Sequence, residues 1–147
     1  MQFFGNAIPA WCTAFRYNEY MVTQDFGVDI DACRENFYKR QERRRQQREA
    51  LRQATREAIL GAVHKVLPDH PEVKSLYLFG SIIRENAFGP ESDIDVAVEG
   101  TNAEQYFTLW RHLQDAVPER MVDLREINKP SYFADTVRER GELIYER

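Results

Sequence analysis

The strongest structural signal in this chain comes from Leu78-Phe79-Gly80-Ser81 and, after eleven intervening residues, Asp93-Ile94-Asp95-Val96-Ala97-Val98. The first segment is typical of an apolar strand that ends in a Gly-Ser turn, and the second of an apolar strand with two acids in alternate positions. Side chains two residues apart project from one face of a strand, with Cα atoms about 7 Å apart, so Asp93 and Asp95 share the same space. Because burying two unpaired carboxylates is costly and a divalent cation offsets that cost, the pattern predicts a metal site.

Gly80 and Ser81 provide the second half of this interpretation. Glycine tolerates backbone angles that other residues avoid, so main-chain N–H groups can approach an anion, and the Ser81 hydroxyl can donate to a phosphate oxygen. A lone Gly-Ser is usually an ordinary turn, and a lone Asp-x-Asp such as Asp29-Ile30-Asp31, which a long helical pattern follows, is predicted to cap a helix. The combination of both motifs predicts a nucleoside triphosphate bound as its magnesium complex.

The segment from residue 78 to residue 98 resembles the signature of the DNA polymerase β nucleotidyltransferase superfamily. More narrowly, it is similar to the minimal nucleotidyltransferases, the MntA-like antitoxins that are paired with HEPN-domain toxins. The family pattern of Gly-Ser, an Arg-Gly loop and a Pro-x-Ser-Asp-x-Asp strand entry stands here as Gly80-Ser81-Ile82-Ile83-Arg84-Glu85 and Pro90-Glu91-Ser92-Asp93-Ile94-Asp95. Two departures are visible, since the loop is one residue longer than the family pattern and Glu85 replaces the common glycine.

The resemblance implies a third acid in a later strand, and Asp123 in the short apolar segment 121–125 fits that position. It implies that Asp93, Asp95 and Asp123 bind Mg²⁺ and that Asp123 accepts the proton of the attacking hydroxyl. Three carboxylates can hold two magnesium ions about 3.5–4 Å apart, one at the hydroxyl and one at the triphosphate. With ATP as the substrate, the implied nucleotide-binding residues are Gly80, Ser81, Arg84 and Ser92.

Composition limits the function classes. With 43% hydrophobic and 30% charged residues among 147, and without an apolar run of membrane-spanning length, we expect a soluble globular protein. The net charge of −4 argues against general nucleic-acid binding. Cys12 and Cys33 are interpreted as reduced thiols and the N-terminus is a poor signal peptide, so we expect a cytoplasmic protein without a membrane contact.

A basic helix is predicted upstream of the motifs. Residues 39–57 contain eight basic side chains against three acids. Apolar residues then recur at three- and four-residue spacing, which predicts that the second half of the helix packs on the core; they are Leu51, Ala54, Ala58, Ile59, Ala62, Val63 and Val66. The first half is either a solvated face or an electrostatic contact with an acidic partner or RNA.

The N-terminal region is aromatic, since nine of the eighteen aromatic residues lie within residues 1–38. We predict an aromatic-rich extension at residues 1–37, which covers either the protein's own domain or a subunit or toxin, followed by a nucleotidyltransferase domain at 38–147. Within that domain we predict strands at 73–79, 93–98, 121–125 and 142–145, and helices at 103–113 and 131–140. This alternation predicts an α/β or α+β fold, with helices packed against a small mixed sheet.

For function, the resemblance implies transfer of AMP from ATP to a hydroxyl, expected to be a tyrosine of a cognate HEPN toxin, with the protein acting as antitoxin and associating with that toxin. One alternative is a non-catalytic antitoxin that neutralises the toxin by contact. The other is a small-molecule nucleotidyltransferase of the aminoglycoside-modifying kind. Intact acids favour catalysis, because a pure binding module has no reason to keep buried carboxylates.

Overall fold

The computed structural model describes residues 29–147. Residues 1–28, with Cys12 and most of the predicted aromatic extension, lie outside the described residues. Residues Arg40–Arg147 form one compact unit. Cys33 is a free, exposed thiol. Between residues 29 and 147, no helix has the length and apolar character needed to cross a membrane.

Three α-helices are present in the described chain, each beginning at a polar cap. α1 spans Ile30–Val66, and the Ala32 N–H donates to Asp29 Oδ1 at 2.9 Å, so the predicted capping role of Asp29 is confirmed. A short 3-10 helix, Leu67–Asp69, follows α1. α2 spans Ala103–Ala116 behind a capping box of Asn102 and Gln105, and α3 spans Tyr132–Arg140 behind Ser131.

Four strands form one mixed sheet. They are β1 (Ser75–Leu78), β2 (Ile94–Glu99), β3 (Val122–Glu126) and β4 (Glu142–Glu146), in the spatial order β3-β2-β1-β4. β1 is antiparallel to β2 and β4, whereas β2 and β3 run parallel. The predicted class, helices against a small mixed sheet, is confirmed, and the strands differ from the predicted ranges by one or two residues at their ends.

The two faces of the sheet are covered differently. One face carries the larger core, in which α1 and α2 contribute Ile59, Val63, Leu109 and Leu113 against Leu76, Leu78, Val96, Val98 and Leu124. On the opposite face, Ala134 and Val137 of α3 form a smaller cluster with Ala97 and Ile127. Because side chains alternate along a strand, Asp95 lies on the same face as Ala97, beside this smaller cluster.

The phase of α1 differs from the prediction at two positions. Ala54 and Ala58 are exposed, while Arg52 and Thr55 are buried with Ile59 and the apolar residues after it. The expected packing of the second half of α1 on the core is confirmed. Alanine is small and weakly apolar, so its position says little about the buried stripe of a helix, and a buried arginine gives no apolar signal.

Candidate active site

The Gly80-Ser81 turn lies directly against Asp95. After the end of β1, the Phe79 N–H donates a hydrogen bond to the Asp95 carbonyl oxygen at 3.1 Å. Gly80 has φ of +73°, in the left-handed region that favours glycine. A Cβ atom on Gly80 would lie 2.1 Å from Asp95 Oδ2, well inside van der Waals contact. Both the backbone angle and the close carboxylate therefore require glycine at this position.

Two of the three predicted acids are neighbours across the sheet. Asp95 of β2 is in register with Asp123 of β3 in the parallel pair, and adjacent strands lie about 4.8 Å apart. Both side chains are half-buried, whereas Asp93, just before β2, is exposed. The structure therefore brings Asp95 and Asp123 together beside the Gly80-Ser81 turn, with Asp93 at the entrance to the strand.

The electrostatics of this cluster are unbalanced. Burial raises the pKa of the Asp95 carboxyl above its usual range, and the carboxylates of Asp123 and then Asp93 raise it further. Arg125 and a hydrogen bond from the Ser81 backbone N–H act in the opposite direction without cancelling the rise in pKa. The nearby cationic side chains do not balance the negative charge around Asp95. A bound cation would supply the missing positive charge.

Asp123 has a cationic partner of its own. Arg125, two residues along β3, donates from Nε to Asp123 Oδ1 at 3.1 Å and from Nη2 to Oδ2 at 2.8 Å. Among residues 29–147, no three His, Cys, Asp or Glu side chains converge closely enough to hold a metal ion as they stand. The all-carboxylate donor set suits Mg²⁺ in its chemistry, so a cation at Asp123 would compete with Arg125 for its carboxylate.

The two remaining predicted residues lie at opposite ends of the loop between the motifs. The exposed Arg84 folds back on the turn, where its Nε donates to the Gly80 carbonyl oxygen at 3.2 Å. Ser92 Oγ accepts the Gly89 N–H at 2.9 Å, a local turn contact. Arg84 is thus adjacent to the turn, while the Ser92 side chain supports the loop that leads to Asp93.

Arg120, which sequence reasoning did not single out, fixes the second end of this loop. Its Nη1 donates to the carbonyl oxygens of Pro90 at 2.6 Å and Ser92 at 3.1 Å. Its guanidinium also lies over the ring of the fully buried Phe88, 5.2 Å from the centroid. The longer loop is therefore anchored immediately before Asp93. An arginine in a turn carries no periodic signal, so only the tertiary structure shows this contact.

Residues 62–147 match the family described as Polymerase beta, Nucleotidyltransferase. No curated protein matches the chain. A chain of a toxin-antitoxin crystal structure with AMP-PNP is 26% identical with a TM-score of 0.50, and the match covers 60% of this chain and 73% of that chain.

Two further solved structures are similar in fold. A chain of a crystallised mutant of the MntA-HpeT toxin-antitoxin is 24% identical with a TM-score of 0.50, covering 60% of this chain and 73% of that chain. A chain of the complex between tri-AMPylated Shewanella oneidensis HEPN toxin and MNT antitoxin is 25% identical with a TM-score of 0.46, covering 62% and 72%. The predicted resemblance to minimal nucleotidyltransferases is confirmed. Since the family match spans more than half of the chain and includes the Gly80-Ser81 turn and all three acids, the chain belongs to the polymerase beta nucleotidyltransferase family.

Proposed function

We propose that this protein transfers AMP from ATP to a hydroxyl, a tyrosine of a partner HEPN toxin, and thereby acts as the antitoxin of a toxin-antitoxin pair. The observation that carries this proposal is the contact between the Gly80-Ser81 turn and Asp95, where a Cβ on Gly80 would lie 2.1 Å from the carboxylate. A glycine turn placed against an acid that lacks sufficient counter-charge is suited to a phosphate chain with its cation.

The partner and the nucleotide are supported by the structural comparison. The 26% identical chain with a TM-score of 0.50 comes from a toxin-antitoxin crystallised with AMP-PNP, an analogue of ATP. We propose by analogy that this chain binds ATP and associates with a toxin protein. ATP, Mg²⁺ and a reduced Cys33 thiol are all compatible with a reaction in the cytosol.

Each residue then has a defined task. The Gly80 backbone N–H and the Ser81 hydroxyl bind phosphate oxygens, and Asp93, Asp95 and Asp123 would hold Mg²⁺. When bound, Mg²⁺ neutralises charge on the triphosphate and lowers the pKa of the attacking hydroxyl. The hydroxyl oxygen forms a bond to the α-phosphorus, the bond to pyrophosphate breaks, and Asp123 takes the hydroxyl proton.

The test is a covalent mark on the toxin. Purified protein, HEPN toxin, ATP and Mg²⁺ are incubated, the toxin is separated under denaturing conditions for intact-mass analysis, and a parallel sample is separated natively and assayed. We expect a toxin that is heavier by one or more AMP units and stays inactive after separation. The matched control is the Asp93→Ala, Asp95→Ala double variant, which should leave the toxin unmodified.

Three outcomes would contradict the proposal. If ATP binding is confirmed but the toxin remains unmodified and recovers full activity after separation, neutralisation occurs by contact alone. If the double variant transfers AMP to the toxin at the wild-type rate, Asp93 and Asp95 are not catalytic residues. Transfer of AMP to a small hydroxylated molecule but not to the toxin would favour the alternative of a small-molecule nucleotidyltransferase.

A further inference from the structure

Three side chains of α1 face the loop that follows Ser81. Arg45, Glu49 and Arg52 are spaced by four and then three residues, so they lie on one face of the helix. We call these three residues the clasp. All of them precede residue 62, where the match to the nucleotidyltransferase family begins. The clasp therefore lies in the part of α1 that precedes the matched domain.

Arg52 forms the buried part of the clasp. Only 8% of this residue is exposed. Its Nη1 donates to the carbonyl oxygen of Ile82, the residue directly after Ser81, at 2.8 Å. Its Nε and Nη2 donate to the two carboxylate oxygens of Glu49 at 2.9 and 2.6 Å. With all three nitrogens engaged, the guanidinium has one defined orientation.

Glu49 and Arg45 extend the clasp along the loop. Hydrogen bonds from Arg52, and then from Gln53, lower the pKa of Glu49 to about 2, and the Asn86 backbone also donates to this carboxylate. Arg45 Nε donates to Asn86 Oδ1 at 3.1 Å. Asn86 adopts a left-handed φ of 59°, a conformation that these contacts help to hold. The segment from Ile82 to Asn86 is thus fixed to α1 at both ends.

We propose that the clasp positions the Gly80-Ser81 turn for the triphosphate and that Arg52 is its principal positioning residue. The turn is held on one side by Asp95, whose carbonyl oxygen accepts the Phe79 N–H at 3.1 Å, and on the other by Arg52, through Ile82. Ile82 is fully buried, so a shift of its carbonyl moves a packed residue and, with it, the adjacent amides of the turn. This inference rests on the proposed function, since it concerns the same nucleotide.

The experiment measures binding of AMP-PNP with Mg²⁺ to the full chain by titration calorimetry, without any catalytic step. Arg52→Met keeps the side-chain length but removes every donor, and we expect the affinity to fall about tenfold, equivalent to about 1.4 kcal/mol. Arg52→Lys, which retains one donor for Ile82, should recover most of the affinity. Arg111→Met, the same change at an exposed arginine of α2, is the matched control and should bind as the wild type does.

A second readout separates positioning from simple anchoring. Amide hydrogen exchange at residues 80–86 should become faster in Arg52→Met while exchange in β2 and β3 is unchanged. If Arg52→Met does not fold, Arg45→Met decides. Its expected loss of affinity is about threefold, because Arg45 is exposed and its one side-chain hydrogen bond within residues 29–147 is to Asn86.

The outcomes are distinct. Wild-type affinity for AMP-PNP in the folded clasp variants, together with a lower melting temperature, would make the clasp a structural anchor and overturn the inference. Absence of AMP-PNP binding by the wild-type chain would instead overturn the proposed function, and the positioning role with it. A tenfold loss in Arg52→Met, rescued by lysine, would support both.

Discussion

Two charged clusters lie on either side of the Gly80-Ser81 turn and differ in their balance of charge. On one side, burial and the carboxylates of Asp123 and Asp93 raise the pKa of Asp95. On the other, the forked contact with Arg52 lowers the pKa of Glu49 to about 2. A carboxylate paired with an arginine, as at Glu49, typically supports the structure. Carboxylates that lie close together, as at Asp95, are typical of sites where a bound ligand supplies the missing positive charge. The opposite directions of the two pKa shifts therefore reflect the different counter-charge around Asp95 and Glu49.

The largest effect should come from removing the unbalanced acids. In the Asp93→Ala, Asp95→Ala double variant we expect AMP transfer to fall by at least about a thousandfold, or about 4 kcal/mol of transition-state stabilisation. The fold should survive, because like charges are removed and Asp93 is exposed. Transfer is measured with labelled ATP, and circular dichroism checks the fold. If a folded variant retains more than a tenth of wild-type transfer, Asp93 and Asp95 are not catalytic residues.

α1 carries a group of arginines whose positive charge is not paired within the described residues. Arg43, Arg44 and Arg48 are exposed and form no salt bridge with any residue between positions 29 and 147. If they contact an acidic partner, changing all three to Gln should lower the association rate with the toxin about tenfold at low salt and much less at high salt. The variant spares Arg45, which contacts Asn86.

Stopped-flow or biosensor kinetics at two salt concentrations would measure this effect. An unchanged association rate at low salt would assign these arginines to a solvated helix face. RNA binding by the wild type that is lost in the variant would instead favour the nucleic-acid alternative that the sequence left open.

A smaller effect should follow from removing the internal competitor for Asp123. Arg125 is largely exposed, with 60% of its side chain accessible, and exposed ion pairs are worth about 0.2–1 kcal/mol. Arg125→Gln should therefore raise the affinity for Mg²⁺ by about 1.4–5-fold, as measured by calorimetry. A decrease in affinity would show that Arg125 supports the site and does not compete for Asp123.

The smallest effects concern stability and pH, and the two clusters should respond in opposite directions. Because folding raises the pKa of Asp95 above 3.8, Asp95 favours the folded state at acid pH, and this contribution is lost as pH rises through the raised pKa. Asp95→Asn should therefore raise the melting temperature at pH 7. The difference should shrink below about pH 4. Equal melting temperatures of Asp95→Asn and the wild type at pH 7 would show that the negative charge of Asp95 does not destabilise the fold.

Glu49 should behave in the reverse manner. Its pKa falls from 4.5 to about 2 on folding, so its contribution is present at neutral pH and is lost as pH falls from about 4.5 towards 2. Glu49→Gln should lower the melting temperature at pH 7, and the difference from the wild type should disappear towards pH 2. Thermal unfolding of both variants is measured across this pH range. Changes in melting temperature of the same sign at pH 7 would contradict the opposite contributions of Asp95 and Glu49.

Local patterns in the sequence were sufficient for part of this picture. The Gly-Ser turn and the alternating acids predicted Gly80, Ser81, Asp93 and Asp95, because turn chemistry and strand alternation are short-range properties. The position of Asp123 beside Asp95 depends on the parallel pairing of β2 and β3. Residue spacing did not supply that pairing, and the expectation for Asp123 came from the family resemblance.

The remaining features depend on contacts between residues far apart in the chain. Arg52 reaches Ile82 across thirty residues, and Arg120 reaches Ser92 across twenty-eight. Neither arginine contributes to an apolar period, and arginine is usually exposed, so sequence patterns assign both to the surface. The exposure of Ala54 and Ala58 has the related cause that small side chains define a helix phase poorly.

The most direct test of the unbalanced cluster is the response of the melting temperature to Mg²⁺ without nucleotide. If Asp93, Asp95 and Asp123 bind the cation only in the folded state, about 10 mM Mg²⁺ should raise the wild-type melting temperature by about 3 °C or more. Asp95→Asn should show almost no rise, while Glu49→Gln, which alters the balanced cluster, should respond like the wild type. An equal rise in the wild type and in Asp95→Asn, or no rise in the wild type, would contradict a cation site at these acids.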